Sequence, residues 1–404
     1  MATALTLTLR GITVTLIDAG APGGGCSSGN AGVIATSFVL PLSNIHTLVR
    51  VPRMLLDPLG PLSIRSSDLP SLAPWLFRYA LNALPGAQLK SIEGLKAINA
   101  RALVAWRELL LAAGASSLLS ERGMLEVSPS LDLGAERSLR ALARRLSDQQ
   151  AAVELLDPLQ AGELEPLLSG RIGAALFHGR VAHVSDPMAV NSALLSAFVE
   201  RGGKMKQARV VSINPRVNGV TITTGDQCLG ADRVVVCAGF WSADLLRPLG
   251  VRVPIAAERG YHFMMREVAH RPSRPISFHR ESFLASPLGN GLRLAGTVEL
   301  AKPTSLPSWR RADQLRELAG RYVDDWAAGQ GERWMGCRPS FPDSLPAIGR
   351  LSRDNRVLYA FGHQHLGLTQ AAVTGQAVAA LLGSGDPPFP LNICSLERFS
   401  SGKR

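Results

Sequence analysis

The segment "ITVTLIDAGAPGGGCSSGNAG", Ile12 to Gly32, indicates the fold class. Its first part, Ile12 to Asp18, is β-branched and apolar and ends in a carboxylate, which predicts a buried strand. A carboxylate that closes the second strand of a nucleotide-binding unit accepts hydrogen bonds from a ribose, and Asp18 has the position for that role. Because any strand can end in aspartate, an ordinary strand end remains an open alternative.

The glycine-rich stretch that follows offers bare backbone to a ligand. Gly25, Gly29 and Gly32 surround Ser27 and Asn30, so unshielded amides and short polar side chains lie together. Such a loop suits a pyrophosphate group. An ordinary surface loop explains the same composition, and both interpretations stay open.

Further elements that alternate between helix and strand follow along the chain. Asp186 and Pro187 predict the start of a helix that ends at Gly202 and Gly203. Strands are predicted in "ARVVSI", in "RVVVCAG" and in "RVLYAFG", before a helix that starts at Leu368. Residues 51–165 are predicted to be mainly helical. Residues 254–326 alternate like antiparallel hairpins, with a turn at Gly289 and Asn290.

Length and charge limit the class of protein. A chain of 404 residues with 46% hydrophobic residues suggests two domains, and no apolar run reaches the length of a membrane span. The net charge is +11, but no nucleic-acid-binding signature accompanies it, so we expect no nucleic acid partner. One face of a predicted helix collects arginines, which indicates either a solvated face or contact with anionic lipid. These are Arg137, Arg140, Arg144 and Arg145.

The cysteines indicate a reducing compartment. They are odd in number and far apart, without a CxxC pair, which is typical of free thiols in a cytoplasmic protein. They are Cys26, Cys228, Cys237, Cys337 and Cys394.

The stretch "FGHQHLGLT" runs from a strand into a helix, and its first free amides belong to Gly367, Leu368 and Thr369. A helix N-terminus favours an anionic group, although an ordinary strand-to-helix turn has the same sequence pattern. His363 and His365 lack a third ligand nearby, so we expect no metal site.

The proline-rich segment "MGCRPSFPDSLPAIG" contains Arg338. An arginine on a stiff apolar segment can bind a substrate carboxylate with its planar guanidinium group if it faces a pocket. Pairing with Asp343 is the alternative, and the local sequence leaves both open.

In this order, the segments resemble the superfamily of FAD-dependent amino-acid dehydrogenases and oxidases, which includes D-amino-acid and D-hydroxyproline dehydrogenases. The resemblance covers nearly the whole chain. It rests on "RGITVTLID", "SSGNAG", "HVSDPMAVNSALLSAFVERGG", "VVVCAGFWS", "ERGYHF", "LAGTVEL", "GCRPSFPDSLPAIG" and "FGHQHLGLTQAAVTG". The last two, with the "RGYH" step, are similar to the D-hydroxyproline branch.

The resemblance implies site residues as well as a cofactor, FAD. Arg338 matches the arginine that binds the substrate carboxylate, and Tyr261 is expected to be a second substrate contact. Asp18 matches the ribose ligand, and the backbone of Val210 is expected beside the adenine. The remaining cofactor contacts match Ser27, Asn30, Ala31, Gly32, Cys237, Ala238, Gly239, Gly362, Leu366, Gly367, Leu368 and Thr369.

The fold implied is α/β, with a Rossmann-like FAD-binding domain and an α+β substrate domain that carries a mixed or antiparallel sheet. We expect the FAD-binding domain to comprise residues 1–50, 166–253 and 327–404, and the substrate domain to comprise residues 51–165 and 254–326.

The activity implied is dehydrogenation of a small D-amino or imino acid such as D-hydroxyproline, by hydride transfer from the α-carbon to flavin N5. The expected electron acceptor is a quinone or another carrier, for a cytoplasmic protein that could lie peripherally on the inner membrane. An oxygen-using oxidase and a non-catalytic or truncated subunit remain alternatives.

Members of the superfamily begin with a strand and a GxGxxG turn, and neither stands at the start of this sequence. The opening "MATALTLTLRG" matches the helix that follows such a turn, although its alternation would also suit a strand. We therefore expect a strand and a GxGxxG turn upstream of Met1 in the natural polypeptide.

Overall fold

The computed structural model describes residues 1–225, 227–289 and 291–400, which form an α/β fold. The helices of these ranges are α1 (Ala2–Leu9), α2 (Ile45–Leu56), α3 (Leu69–Asn82), α4 (Pro85–Ala112), α5 (Leu133–Asp148), α6 (Pro158–Leu164), α7 (Pro187–Glu200), α8 (Ser242–Leu246), α9 (Arg310–Ala319), α10 (Asp324–Ala328) and α11 (Gly367–Leu381). Among the described residues, none of these helices combines the length and the hydropathy that a bilayer span requires.

The strands of the described ranges are mostly short and belong to five sheets. They are β1 (Thr15–Asp18), β2 (Val33–Ile34), β3 (Leu62–Ile64), β4 (Leu119–Ser120), β5 (Met124–Pro129), β6 (Val153–Leu156), β7 (Ile172–His178), β8 (Ala182–Val184), β9 (Lys204–Gln207), β10 (Val210–Arg216), β11 (Gly219–Thr224), β12 (Cys228–Ala231), β13 (Val234–Val236), β14 (Ala256–Met265), β15 (Ile276–Phe278), β16 (Phe283–Leu288), β17 (Gly291–Leu300), β18 (Gly331–Ser340), β19 (Ala347–Leu351) and β20 (Asp354–Phe361).

The opening segment is helical. The sequence pattern had allowed either a helix or a strand there, and the helix forms. Helix α1 buries Leu5 and Leu7 in a core that it shares with α7 and α11. The strand predicted over Ile12–Asp18 forms in its second half as β1, which pairs in parallel with β9.

The other predicted elements of the α/β part form as expected. Strand β13 pairs in parallel with β20, and β19 extends this sheet in the antiparallel direction. The Asp186 side chain accepts a hydrogen bond of 2.8 Å from the Met188 amide and caps α7. Helix α11 begins at Gly367, one residue before the predicted start.

A larger sheet runs in the order β18-β14-β17-β16-β15-β5-β7-β6, and β3 also pairs with β17. Its strands β14 to β17 confirm the antiparallel prediction for residues 254–326, a segment that also contains α9 and α10. Gly289 lies between β16 and β17, and the other predicted turn residue, Asn290, lies outside the described residues. Residues 51–165 contain the second half of α2 and all of α3 to α6, but they also contribute β3, β5 and β6 to this sheet.

Packing crosses the predicted domain boundaries in three places. Strands β7 and β18 belong to the large sheet, and α4 packs Leu95, Ile98 and Trp106 into the core of α1 and α11. The Trp106 indole donates a 2.7 Å hydrogen bond to the carbonyl of Leu368 at the start of α11. The division of the chain into two domains stays a prediction, and these three elements connect its two parts.

A buried carboxylate joins three segments of the large sheet. Glu126 on β5 lies 2.7 Å from His279, which follows β15, and 3.4 Å from His178 at the end of β7. Ser37 lies 2.7 Å from the other nitrogen of the His178 ring. Burial alone would raise the pKa of the Glu126 carboxyl, but the contacts with the two histidines lower it to about 2. This carboxylate therefore stabilises the folded state only while it is ionised.

We predict that Glu126→Gln removes an acid-sensitive part of the stability. The folded pKa is lowered, so the contribution of Glu126 is complete above the ordinary value of 4.5 and is lost as the pH falls through about 2. A shift of this size corresponds to on the order of 3 kcal/mol. Denaturant unfolding from pH 7 to pH 2 measures the free energy of unfolding of both proteins. The difference between wild type and variant should become smaller below pH 4.5. The control Glu154→Gln, an exposed position on β6, should follow the wild type. A difference in the free energy of unfolding that is independent of pH would contradict the ionised state of Glu126.

Candidate active site

A cavity of about 2100 Å³ extends through the α/β part to the large sheet. Arg338 and nearly all predicted cofactor contacts line it, although they come from distant parts of the sequence. These lining residues are Asp18, Ser27, Asn30, Ala31, Val210, Cys237, Ala238, Gly239, Gly362, Leu366, Gly367 and Leu368. The cavity is therefore the candidate active site.

Two predicted cofactor contacts lie behind the cavity wall. The Gly32 amide donates a 2.8 Å hydrogen bond to the Asn30 side chain, and the Gly32 carbonyl accepts one from the Val184 amide. The Thr369 hydroxyl accepts a 2.9 Å hydrogen bond from the Ala35 amide and is 1% exposed. In the described structure these residues hold the wall in place and do not face the cavity.

The expectation that Tyr261 contacts the substrate is corrected by the structure. Its side chain is fully buried, and its hydroxyl donates a 2.6 Å hydrogen bond to Glu299 and accepts one from the Ser308 amide. Successive residues of a strand point to opposite faces, and Tyr261 is an odd number of residues from Glu258, which lines the cavity. Tyr261 is therefore part of the packing on the other face of the sheet.

The Arg338 side chain faces the cavity with unused donors. It makes no hydrogen bond within the described part of the chain, and its nearest carboxylate is Glu258, at 3.5 Å. Asp343, the alternative partner, is instead bound to Arg398 at 2.6 Å. The guanidinium group lies across Gly260, where a Cβ atom would stand 2.5 Å from it. Because glycine has no side chain, the space beside the Gly260 backbone is available to the Arg338 guanidinium group.

Glu258 is a site residue that the sequence analysis missed. It pairs with Arg338 across β14 and β18, and its carboxylate lines the cavity although the residue is only 6% exposed. Ser340 donates a 2.7 Å hydrogen bond to Oε2. The sequence signal that could have identified Glu258 is its position in "ERGYHF". It lies three residues before Tyr261, so its side chain points to the opposite face of the strand from Tyr261.

Aromatic side chains on α3 form a further part of the wall. Trp75 and Tyr79 are stacked with ring centroids 5.1 Å apart. The Trp75 indole donates a 3.0 Å hydrogen bond to the Ser340 carbonyl, and the Tyr79 hydroxyl donates one to the Leu42 carbonyl. Burial, with the nearby Glu258 charge, raises the pKa of Tyr79, which keeps the phenol neutral. Their spacing of four residues on a helix was the available sequence signal.

The two histidines near the start of α11 are neutral. Burial lowers the pKa of His363 to about 4, and its Nε2 lies 2.9 Å from the Thr374 hydroxyl. Burial also lowers the pKa of His365 to about 4, and its buried Nδ1 has no partner among the described residues. Within the described ranges, no three His, Cys, Asp or Glu side chains are grouped so that they could hold a metal ion.

The loop at residues 27–31 is held by side chains of the large sheet. Arg293 donates hydrogen bonds to the carbonyls of Ser28 and Asn30. His262 lies 3.2 Å from the Gly29 carbonyl and stacks on Trp334. Burial lowers the pKa of His262 to about 3, so a neutral ring makes this contact. These contacts fix the backbone of the loop, and residues of the same loop line the cavity.

The size and the donor groups of the cavity fit a large nucleotide cofactor. Its volume is about twice the ~1,000 Å³ upper range of ordinary small-molecule pockets, which leaves room for a substrate as well. Asp18 lies at one strand end, while no side chain caps the first turn of α11, whose residues Gly367 and Leu368 line the wall. An uncapped helix N-terminus favours an anionic group.

Relatives of known description match over nearly the whole chain. A D-amino-acid oxidase of Bradyrhizobium diazoefficiens is 34% identical over 404 residues, which cover 96% of this chain and 94% of the relative. A D-amino acid dehydrogenase of Dechloromonas aromatica is 28% identical and covers 96% of both chains.

Solved structures support the fold. Glycine oxidase from Geobacillus kaustophilus superimposes with a TM-score of 0.74 at 21% identity, covering 98% of this chain and 95% of that structure. L-proline dehydrogenase from P. horikoshii has a TM-score of 0.73 at 18% identity, covering 100% and 95%. The family model described as FAD dependent oxidoreductase (DAO) matches residues 1–381. With the cavity, its donor groups and this match in agreement, the chain belongs to the DAO family of FAD-dependent oxidoreductases.

Proposed function

We propose that this protein dehydrogenates a small D-amino or imino acid, such as D-hydroxyproline, with FAD as the cofactor. The observation that carries the proposal is the Arg338 guanidinium group, which faces the cavity without a hydrogen bond inside the described chain. A planar cation with free donors is suited to a carboxylate. Relatives named D-amino-acid oxidase and D-amino acid dehydrogenase support the same substrate class.

The FAD contacts we propose follow the lining of the cavity. Asp18 would bind the ribose, and the backbone of Val210 would lie beside the adenine. Residues 27–31 would face the pyrophosphate and the flavin, with Gly32 and Thr369 supporting the wall behind them. The turn at residues 237–239, Gly362 and residues 366–368 would meet the rest of the cofactor.

In the proposed reaction, bound FAD supplies the two-electron acceptor for a hydride from the substrate α-carbon. Arg338 holds the carboxylate and thereby orients the α C–H bond. Trp75 and Tyr79 exclude water from this part of the cavity. No side-chain base is required for the hydride step once the amine is neutral, and a substrate that binds as the zwitterion first releases its ammonium proton to solvent, so the contribution of the protein is mainly orientation and electrostatics.

The electron acceptor distinguishes the main proposal from its alternatives. A dehydrogenase passes electrons to a quinone or another carrier, whereas an oxidase of the same fold passes them to oxygen and releases hydrogen peroxide. The relatives include both names. A non-catalytic subunit would carry neither activity, and the absence of flavin absorbance in the purified protein would favour it.

A basic and apolar surface near the cavity supports a membrane-bound carrier. Helix α2 has no buried residues, and its Val49 and Leu56 are 74% and 83% exposed. Partial burial and the charge of Arg145 on α5 lower the pKa of His46 on α2. Apolar side chains beside arginines suit an anionic membrane surface. We propose peripheral association there, at the side where Leu48 and Met54 of α2 line the cavity.

We predict that Arg338→Ala lowers kcat/KM for the substrate and leaves the FAD content unchanged, because the side chain contacts the carboxylate of the ligand. Removing one partner of a buried charge pair costs roughly 2 to 5 kcal/mol. Steady-state kinetics and flavin absorbance measure the two effects. Arg333→Ala is the matched control, because Arg333 lies on the same strand and pairs with Asp313 at 2.7 Å outside the cavity. Equal kcat/KM in wild type and Arg338→Ala would refute the assignment.

We further predict that D-amino acids, including D-isomers of 4-hydroxyproline, reduce an artificial dye faster than they yield peroxide. A screen of both enantiomers in parallel dye and peroxide assays measures this, with heat-inactivated protein as the control. Peroxide formed in proportion to substrate, at the rate of the dye reaction, would identify an oxidase instead.

Changing Arg140, Arg144 and Arg145 together to Glu should abolish sedimentation with anionic vesicles and leave dye-linked activity intact, because the attraction to lipid is electrostatic. Changing the exposed Arg252, Arg310 and Arg321 to Glu gives the same change in net charge elsewhere and is the control. Wild-type protein that stays in the supernatant would rule out the membrane surface.

A further inference from the structure

Two opposite charges lie side by side in the cavity wall. Glu258 and Arg338 are directly paired across β14 and β18, so both side chains leave the same face of the sheet. Oε1 of Glu258 lies 3.5 Å from a guanidinium nitrogen, and both residues line the cavity. The wall therefore presents an anionic and a cationic group next to each other.

Neither group uses its full bonding capacity within the described chain. Ser340 occupies Oε2 of Glu258, but Oε1 accepts no hydrogen bond among the described residues. Arg338 donates none there, since 3.5 Å exceeds the usual hydrogen-bond length. Buried charges are stable when they are paired and hydrogen-bonded, so both groups can gain by binding a ligand.

We infer that Glu258 binds the ammonium group of the substrate while Arg338 binds its carboxylate. This inference rests on the proposed function and adds a specificity-determining residue to it. An α-amino acid carries its ammonium and carboxylate groups on the same carbon atom, which suits two opposite charges placed side by side in the wall. The pair then selects zwitterions, because a carboxylate that lacks the ammonium group brings a negative charge near Glu258 without compensation.

A purely structural role for Glu258 makes a different prediction. If Glu258 only positioned Arg338, its removal would weaken the binding of every carboxylate equally. If it binds the ammonium group, its removal weakens only ligands that carry that group. The difference between two ligands of one shape therefore separates the two roles.

The experiment uses 2-aminoisobutyrate and pivalate as ligands of the FAD-loaded enzyme. The two molecules have the same shape, since pivalate has a methyl group where 2-aminoisobutyrate has its ammonium group. Both are achiral and neither has an α-hydrogen, so they bind without turnover. Isothermal titration calorimetry at neutral pH gives their dissociation constants in each variant.

Wild-type protein should bind 2-aminoisobutyrate more tightly than pivalate. Glu258→Gln should weaken 2-aminoisobutyrate roughly 10- to 100-fold, the range for a hydrogen bond to a charged group, and leave pivalate equal or tighter. Glu332→Gln is the control, because Glu332 lies on β18 outside the cavity and pairs with Arg266. It should change neither dissociation constant.

A second variant keeps the test independent of the folding of Glu258→Gln. Ser340→Ala removes the hydrogen bond to Oε2 and keeps the charge, so it should weaken 2-aminoisobutyrate by a smaller factor and leave pivalate unchanged. Equal weakening of both ligands in either variant would overturn the inference and leave the proposed function in place. Unchanged binding of both ligands in Arg338→Ala would overturn the proposed function, and the inference with it.

Discussion

The pairing register of β14 and β18 is the constraint on which the candidate site depends. It sets Glu258 opposite Arg338 and places both on the face that borders the cavity. Because side chains alternate between faces, a shift by one residue would turn Arg338 to the opposite face of the sheet. Gly260 adds a steric condition, since any Cβ atom there would occupy the space of the guanidinium group. The binding geometry is thus a property of two strands that are distant in sequence.

Each face of this sheet holds a pair of opposite charges. On the face away from the cavity, Glu299 lies 3.4 Å from the fully buried Arg259, whose guanidinium nitrogens make no hydrogen bond among the described residues, and accepts a hydrogen bond from the Tyr261 hydroxyl. On the cavity face, Arg338 and Glu258 keep donors and acceptors directed at the open space. Desolvated charges are costly unless they are compensated, and a bound ligand of complementary charge provides this compensation.

Contacts between segments that are distant in sequence support the cofactor wall. Arg293 and His262, both on strands of the large sheet, contact backbone carbonyls of the glycine-rich loop. The Thr369 hydroxyl accepts a hydrogen bond from the Ala35 amide. The position of the proposed FAD contacts therefore depends on packing between segments that are more than two hundred residues apart.

Local patterns in the sequence by themselves determined the cap of α7 at Asp186 and, to within one residue, the start of α11, while the α/β class came from the resemblance of the ordered segments to a known family. The two helix starts depend on residue periodicity and on caps, which act over a few neighbouring residues. Only the tertiary structure decided that Glu258 and not Tyr261 faces the cavity, and that Asp343 pairs with Arg398, 55 residues away. The physical reason is that a strand offers both of its faces equally, and the elements packed against each face decide which one meets the ligand.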